Sequence, residues 1–112
     1  LRNITFDGAN LSEAKFNMSD LRTSSFAGCR LDRADFSYSN LAGVCFDNIN
    51  FNGTIFKYSD LRETSFKNAV LRNVNFKTTD VKKAIFDGAS MDKLTYAILK
   101  SGKANLANVN VF

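Results

Sequence analysis

The chain has 112 residues, fifteen Lys and Arg against eleven Asp and Glu, a net charge of +4, and neither His nor Pro. Without His it lacks the commonest general acid–base side chain and any Ser-His-Asp or Cys-His pair. No apolar run approaches the ~18–20 residues of a membrane span, and the length fits one domain, 1–112, expected to be soluble with the cytoplasm favoured.

From Leu1 to Met91 every fifth residue is apolar: nineteen positions out of nineteen, including Phe6, Leu11, Phe16, Leu21 and Phe26. Two residues before each lies a small or β-branched residue, such as Ala9, Ala14, Ser19, Ser24 and Cys29. Neither an α-helix (period 3.6) nor a strand (period 2) places residues five apart on one face. The chain must turn a corner every five residues and point one side chain inward each time. Gly8, Gly28, Gly43, Gly53 and Gly88, with Asn48, Asn68 and Asn73, all fall two after the central residue. That is the corner, where a positive φ is expected.

The unit reads A-[N/D]-L-x-x, as in Ala9-Asn10-Leu11-Ser12-Glu13 and Ala34-Asp35-Phe36-Ser37-Tyr38. It resembles the pentapeptide-repeat family, without a gap over 1–93 and more loosely beyond. The resemblance implies an all-β fold, a right-handed quadrilateral β-helix in which four pentapeptides make one square coil, here about five and a half coils. Solenoid units cannot bury an apolar face alone, so the coils must stack into one core. Absence of Pro suits a backbone whose N–H groups bond from coil to coil. With four units per coil, Phe6, Phe26, Phe46, Phe66 and Phe86 should stack on one face. Phe16, Phe36, Phe56 and Phe76 should stack on the opposite one, with Leu between and Phe51 the main exception.

The outward positions carry little chemistry. Asp20, Asp60 and Asp80 form one row and Arg2, Arg22, Arg62 and Lys82 the next, a pattern of mutual neutralisation. Cys29 falls at an inward small position and Cys45 outside, so no disulfide is expected. Two Cys without His make a metal site improbable. The glycines follow the corner period rather than a phosphate-loop pattern, so no cofactor is expected. One exterior stripe stands out: Met18, Tyr38, Tyr58 and Thr78, two residues after Phe16, Phe36, Phe56 and Phe76, beside Asn17, Ser37, Lys57 and Lys77. Exposed aromatics flanked by cations suit a partner-binding surface, and Met18, Tyr38, Tyr58, Lys57 and Lys77 are the candidate site residues.

Beyond Met91 the frame weakens. Leu94 is large at a small-residue position and Ser101 polar at a central one, yet Ala104, Leu106, Val109 and Val111 return in phase. One reading continues the coil through degraded repeats, with Tyr96 on the second Phe ladder. The other has Ser90 cap a short helix, 91–100, with Leu94, Ala97 and Ile98 on one side and Gly102 ending it. The family often ends in a helical cap, but the preserved phase favours continuation.

For function, the residues point to a non-enzymatic interaction scaffold with a protein partner. The family resemblance also implies an alternative: a DNA-mimicking binder of gyrase, as in quinolone-resistance members. A DNA mimic must be acidic, because proteins bind DNA through cations, and this chain is net basic. Weak nucleic-acid binding through Arg2, Arg22, Arg62 and Lys82 is a further, unfavoured alternative. The chain begins in mid-frame without Met, as a processed protein or an excerpt would. A bare solenoid end exposes unpaired backbone, so a homodimer by end-to-end stacking is also an expectation.

Overall fold

The computed structural model describes residues 3–112; Leu1 and Arg2 of the two series above lie outside the described residues. The backbone climbs by parallel pairing in a register of twenty. Thr5 pairs with Ser25, Asn10 with Arg30, Lys15 with Asp35 and Asp20 with Asn40, and the same step repeats to Ser65 with Ile85. Twenty residues per turn and five per corner make four sides. One side pairs long enough to form short strands, β1 (Asn50–Asn52), β2 (Val70–Arg72) and β3 (Ser90–Met91). Helix α1 (Lys93–Ser101) follows, and β4 (Asn110–Val111) closes the order β1-β2-β3-β4.

At most corners the central residue's carbonyl accepts the N–H three residues on, as in Ala9 to Phe6 (2.9 Å) and Val44 to Leu41 (2.9 Å). The third turn residue has positive φ, +52° to +66° at side-chain-bearing residues from Asn3 to Thr78 and at Lys103, and about +70° at the glycines. Gly43 has open space around a would-be Cβ, so its φ of +73° alone explains glycine there. The corner at Lys83 departs from this: no positive φ is found there, and the Glu63 N–H donates to the Lys83 carbonyl.

The backbone N–H groups can be followed round one unit. Leu11 N donates up to Arg30 O, Glu13 N to Asp32 O, and Ala14 N to Leu11 O in the corner. The N–H of Ser12 has no such partner and is taken by the Asn10 side chain (3.1 Å). The same local bond serves Arg22 from Asp20, Ala42 from Asn40, Arg62 from Asp60 and Lys77 from Asn75. This is why the unit prefers Asn or Asp before its central residue: the side chain satisfies an N–H that the coil geometry leaves over. On the Phe6–Phe26–Phe46 side that position holds Thr5, Ser25, Cys45 and Ser65. There Asp7 and Asp47 reach up to the Ala27 and Lys67 N–H groups instead.

The core forms as the ten-residue pattern requires. Rings stack within each ladder at 5.0–5.5 Å (Phe6–Phe26, Phe46–Phe66, Phe16–Phe36, Phe56–Phe76). Across the axis they meet edge to face, as in Phe16–Phe26 (6.1 Å, 90°) and Phe66–Phe76 (5.8 Å, 88°). Phe51, the ring among Leu residues, contacts Phe46, Phe56 and Phe66 edge-on and joins the ladders. Such contacts add ~0.5–1.5 kcal/mol each beyond burial. Buried hydroxyls at the small inward position donate to a central carbonyl one coil below: Ser39 to Phe16 O, Thr54 to Leu31 O, Ser59 to Phe36 O and Thr64 to Leu41 O. A polar residue there therefore carries no unpaired donor into the core.

The tail corrects the expected continuation. Helix α1 replaces the two sides that Tyr96 and Ser101 would have supplied, and Tyr96 does not join the second Phe ladder. The chain then rejoins the stack in phase, with Asn110 opposite Ser90 and Val111 opposite Met91. The cap is Asp92, not Ser90: its carboxylate accepts Thr95 N (3.3 Å) and Thr95 Oγ1 (2.6 Å), and also the Asn73 N–H (3.0 Å) from the coil below. The buried residues of α1 are Thr95 and Leu99, whereas Leu94 is 65% exposed and Ala97 faces out. The helix ends in a Schellman motif, Lys103 N to Lys100 O and Ala104 N to Leu99 O, with Lys103 in the left-handed region (φ +63°). Gly102 has φ −79°, so it is there for space: a Cβ would sit 2.8 Å from Val81 Cγ2.

Candidate functional site

Met18, Tyr38, Tyr58 and Thr78 occupy the same place on successive coils, the third residue of a corner, with φ between +55° and +60°. That geometry throws the side chain outward and fixes its Cα–Cβ direction, so residues twenty apart lie over one another at the coil rise of ~4.8 Å. The Tyr38 and Tyr58 rings stack at 4.9 Å and 11°. Met18 is 80% exposed, Tyr38 57% and Tyr58 47%. Lys57 Nζ lies 5.7 Å from the Tyr58 ring centroid, within reach of a cation–π contact.

The column beside them divides by chemistry. Ser37 is buried and its hydroxyl donates to Asp35, which also accepts the Ser37 N–H and the Asn17 side-chain amide (3.1 Å). Burial pushes the Asp35 carboxyl up, but these donors and nearby Lys15 outweigh it and hold the pKa below the usual range. Lys57 and Lys77 are left as exposed cations that form no ion pair among the described residues. The acidic and basic rows on the next side neutralise one another locally. Arg22 grips Asp20 (2.8 and 2.9 Å), and Arg62 grips Asp60 through Nε and Nη2. The Arg62 guanidinium holds the Asp60 carboxyl below its ordinary value. Two of the four cations proposed for nucleic-acid contact are thus committed to carboxylates, and Arg2 lies outside the described residues.

The feature that sequence reasoning missed is a groove about 670 Å³ in volume between α1 and the last full coil, lined among others by Phe76, Lys77, Thr78, Ala97 and Ile98. A smaller recess of about 180 Å³ shares Lys77 and Ile98 and adds Leu94. The signal was present: Asp92 followed by Thr95 and an apolar run is a helix start.

Elsewhere there is little on which chemistry could be built. Cys29 and Cys45 are both free thiols. The Cys29 Sγ donates to Phe6 O (2.9 Å), and burial pushes its pKa up. Among the described residues, no three Cys, Asp or Glu side chains gather as a metal-binding group, and no helix is long and apolar enough to cross a membrane.

Comparison with known proteins agrees with the architecture. The model of the pentapeptide repeat region matches residues 1–76. The chain superposes on QnrB1, a plasmid-mediated fluoroquinolone resistance protein, with a TM-score of 0.60 at 16% identity, covering 92% of this chain and 60% of that one. A pentapeptide repeat protein of the Arabidopsis thaliana thylakoid lumen is similar at 29% identity, with a TM-score of 0.49, covering 75% of this chain and 55% of that one. The chain thus spans little more than half the length of either, and no curated protein sequence matches it. The twenty-residue register, the corner turns and the family match lead to one assignment: this chain belongs to the pentapeptide-repeat family and folds as its quadrilateral β-helix.

Proposed function

We propose that the chain is a non-enzymatic β-helical scaffold, a single repeat domain over 1–112, which binds a protein partner through Met18, Tyr38 and Tyr58 with Lys57 and Lys77 beside them. The observation that carries this reading is the pair of stacked, half-exposed tyrosine rings on a corner whose backbone is fixed by hydrogen bonds above and below. Aromatic anchors held rigid before binding lose little conformational freedom when a partner arrives. The absence of His and, among the described residues, of clustered Cys and carboxylate groups supports the non-enzymatic part.

The test is quantitative capture from a lysate of the source organism, comparing the unmodified chain with Tyr38→Ser/Tyr58→Ser and with Lys67→Ser on the opposite side. Partners should be lost with the tyrosine variant and kept with Lys67→Ser. Unchanged capture by the tyrosine variant would remove these residues from the site.

A gyrase-directed reading draws on the fold shared with QnrB1, a likeness at 16% identity. The net charge of +4 and the Asp–Arg pairs speak against a DNA mimic. A supercoiling assay with and without a fluoroquinolone decides it. No effect at protein excess is expected; inhibition of gyrase or protection from the drug would install the gyrase reading.

A further inference from the structure

We infer that the tyrosine corner and the groove under α1 form one continuous track that takes an extended acidic peptide bearing large apolar side chains. This rests on the reading that the corner binds a protein, and adds the chemistry of what it holds. The corner positions run Met18, Tyr38, Tyr58, Thr78, and the next residue in that series is Ile98. Ile98 is carried by α1 rather than by a coil, and it lines both the groove and the smaller recess with Lys77. The exposed apolar surface therefore passes from the ladder into a concave seat between Phe76, Thr78, Ala97 and Ile98. Four coil steps at ~4.8 Å make the track roughly 19 Å long, the reach of about six extended residues.

Charge selects the occupant. The acids flanking the corner are engaged: Asp20 with Arg22, Asp60 with Arg62, and Asp35 with Ser37 and Asn17. Asp80 is the one acid lining the groove, and its carboxylate accepts the Lys82 N–H (3.1 Å). Lys57 beside the Tyr58 ring and Lys77 in the groove form no ion pair among the described residues. Lys57 and Lys77 against the Asp80 carboxylate leave the track net positive, which favours carboxylates on the incoming chain. Along the ladder the Met18 and Tyr38 N–H groups are spent on the Ser37 and Lys57 carbonyls of the coil above, and the Lys77 N–H on the Asn75 side chain. A peptide on the ladder is therefore read by side chains, which is what aromatic rings, an apolar seat and ammonium groups without an ion pair offer.

Fluorescence anisotropy with a labelled peptide of about eight residues alternating glutamate and leucine, enough to span the track, tests this. A lysine–leucine peptide and a single-stranded oligonucleotide serve as comparisons. The acidic peptide should bind, the basic one should not, and binding should weaken as NaCl rises. Ala97→Glu and Lys77→Glu should each weaken binding about tenfold or more, a loss of ~1.4 kcal/mol. Both side chains are exposed, so thermal melting should be unchanged. No binding of the acidic peptide, equal binding of the basic one, or indifference to Ala97→Glu overturns the inference. An oligonucleotide that binds as well as the acidic peptide overturns it in favour of a polyanion surface. If the peptide fails while tyrosine-dependent partner capture persists, the track falls and the scaffold reading stands; if both fail, both fall.

Discussion

In the stack, residues 3–92, the fifth position is always apolar and the corner always turns; in the tail, residues 93–112, the first two corresponding positions are Tyr96 and Ser101, and a helix takes them. Both regions keep the same phase, because Asn110 and Val111 return opposite Ser90 and Met91. The difference shows what a repeat period constrains. It fixes where the chain must come back to pair with the coil below. It does not fix the path between, provided that path covers the core and satisfies the backbone. Nine helical residues and their caps do this over two sides of the last square, with Leu99 filling in for the missing central residues.

The comparison can be broken at its core first. Phe46 is fully buried and touches Phe26, Phe36, Phe51, Phe56 and Phe66, so Phe46→Ala should cost ~3–5 kcal/mol in urea unfolding, through lost burial and a cavity. Leu99→Ala also removes a fully buried side chain, with an expected cost of ~2–4 kcal/mol. If the tail is a separate cover on the stack, native-state hydrogen exchange of this variant will show α1 opening while the Phe46 region stays protected. Equal loss of protection in both regions would show that stack and tail unfold as one.

Smaller effects sharpen the boundary. Asp92→Ala removes the helix cap and the acceptor of the Asn73 N–H, and should cost ~0.5–2 kcal/mol. Burial pushes the Asp92 carboxyl up, but bonds from Thr95 and the Asn73 N–H outweigh it and lower its pKa. A carboxylate with a lowered folded pKa stabilises above its unfolded value, about 4, and that contribution is lost as pH falls through the folded value. Asp35 and Asp60 shift the same way, so thermal stability should be flat near neutrality and decline below about pH 4. In Asp92→Ala the helical part of that decline should disappear. The smallest change is at a corner: Gly43→Ala meets no atom within 4 Å yet must hold φ +73°, so a loss of about 1 kcal/mol in Tm-derived stability is expected. A neutral result would mean that the corner can relax as the Lys83 corner has.

The candidate site was legible in part, for a definite reason. The ladder of Met18, Tyr38 and Tyr58 follows from residue numbers, because a register of twenty puts positions two after Phe16, Phe36 and Phe56 over one another. Asn and Asp before the central residue of many units were visible as a preference, but their task was not. It emerges only once the other N–H groups are traced to their acceptors. Ser37 stood in the outward column with Lys57 and Lys77, yet turns to Asp35 and is buried, a local competition that spacing does not encode.

By itself the sequence determined the five-residue corner, the four-sided coil through its family likeness, both Phe ladders and the column of tyrosines. All of these are periodic, and a periodic signal is repeated often enough to outweigh any one residue. Tertiary structure alone decided the tail. Continuation and helix were nearly balanced locally. The balance was settled by contacts between residues distant in the chain: Asp92 with the Asn73 N–H, and Gly102 against Val81. The groove under α1 exists because of those contacts, so its residues could be read in the sequence but not its shape.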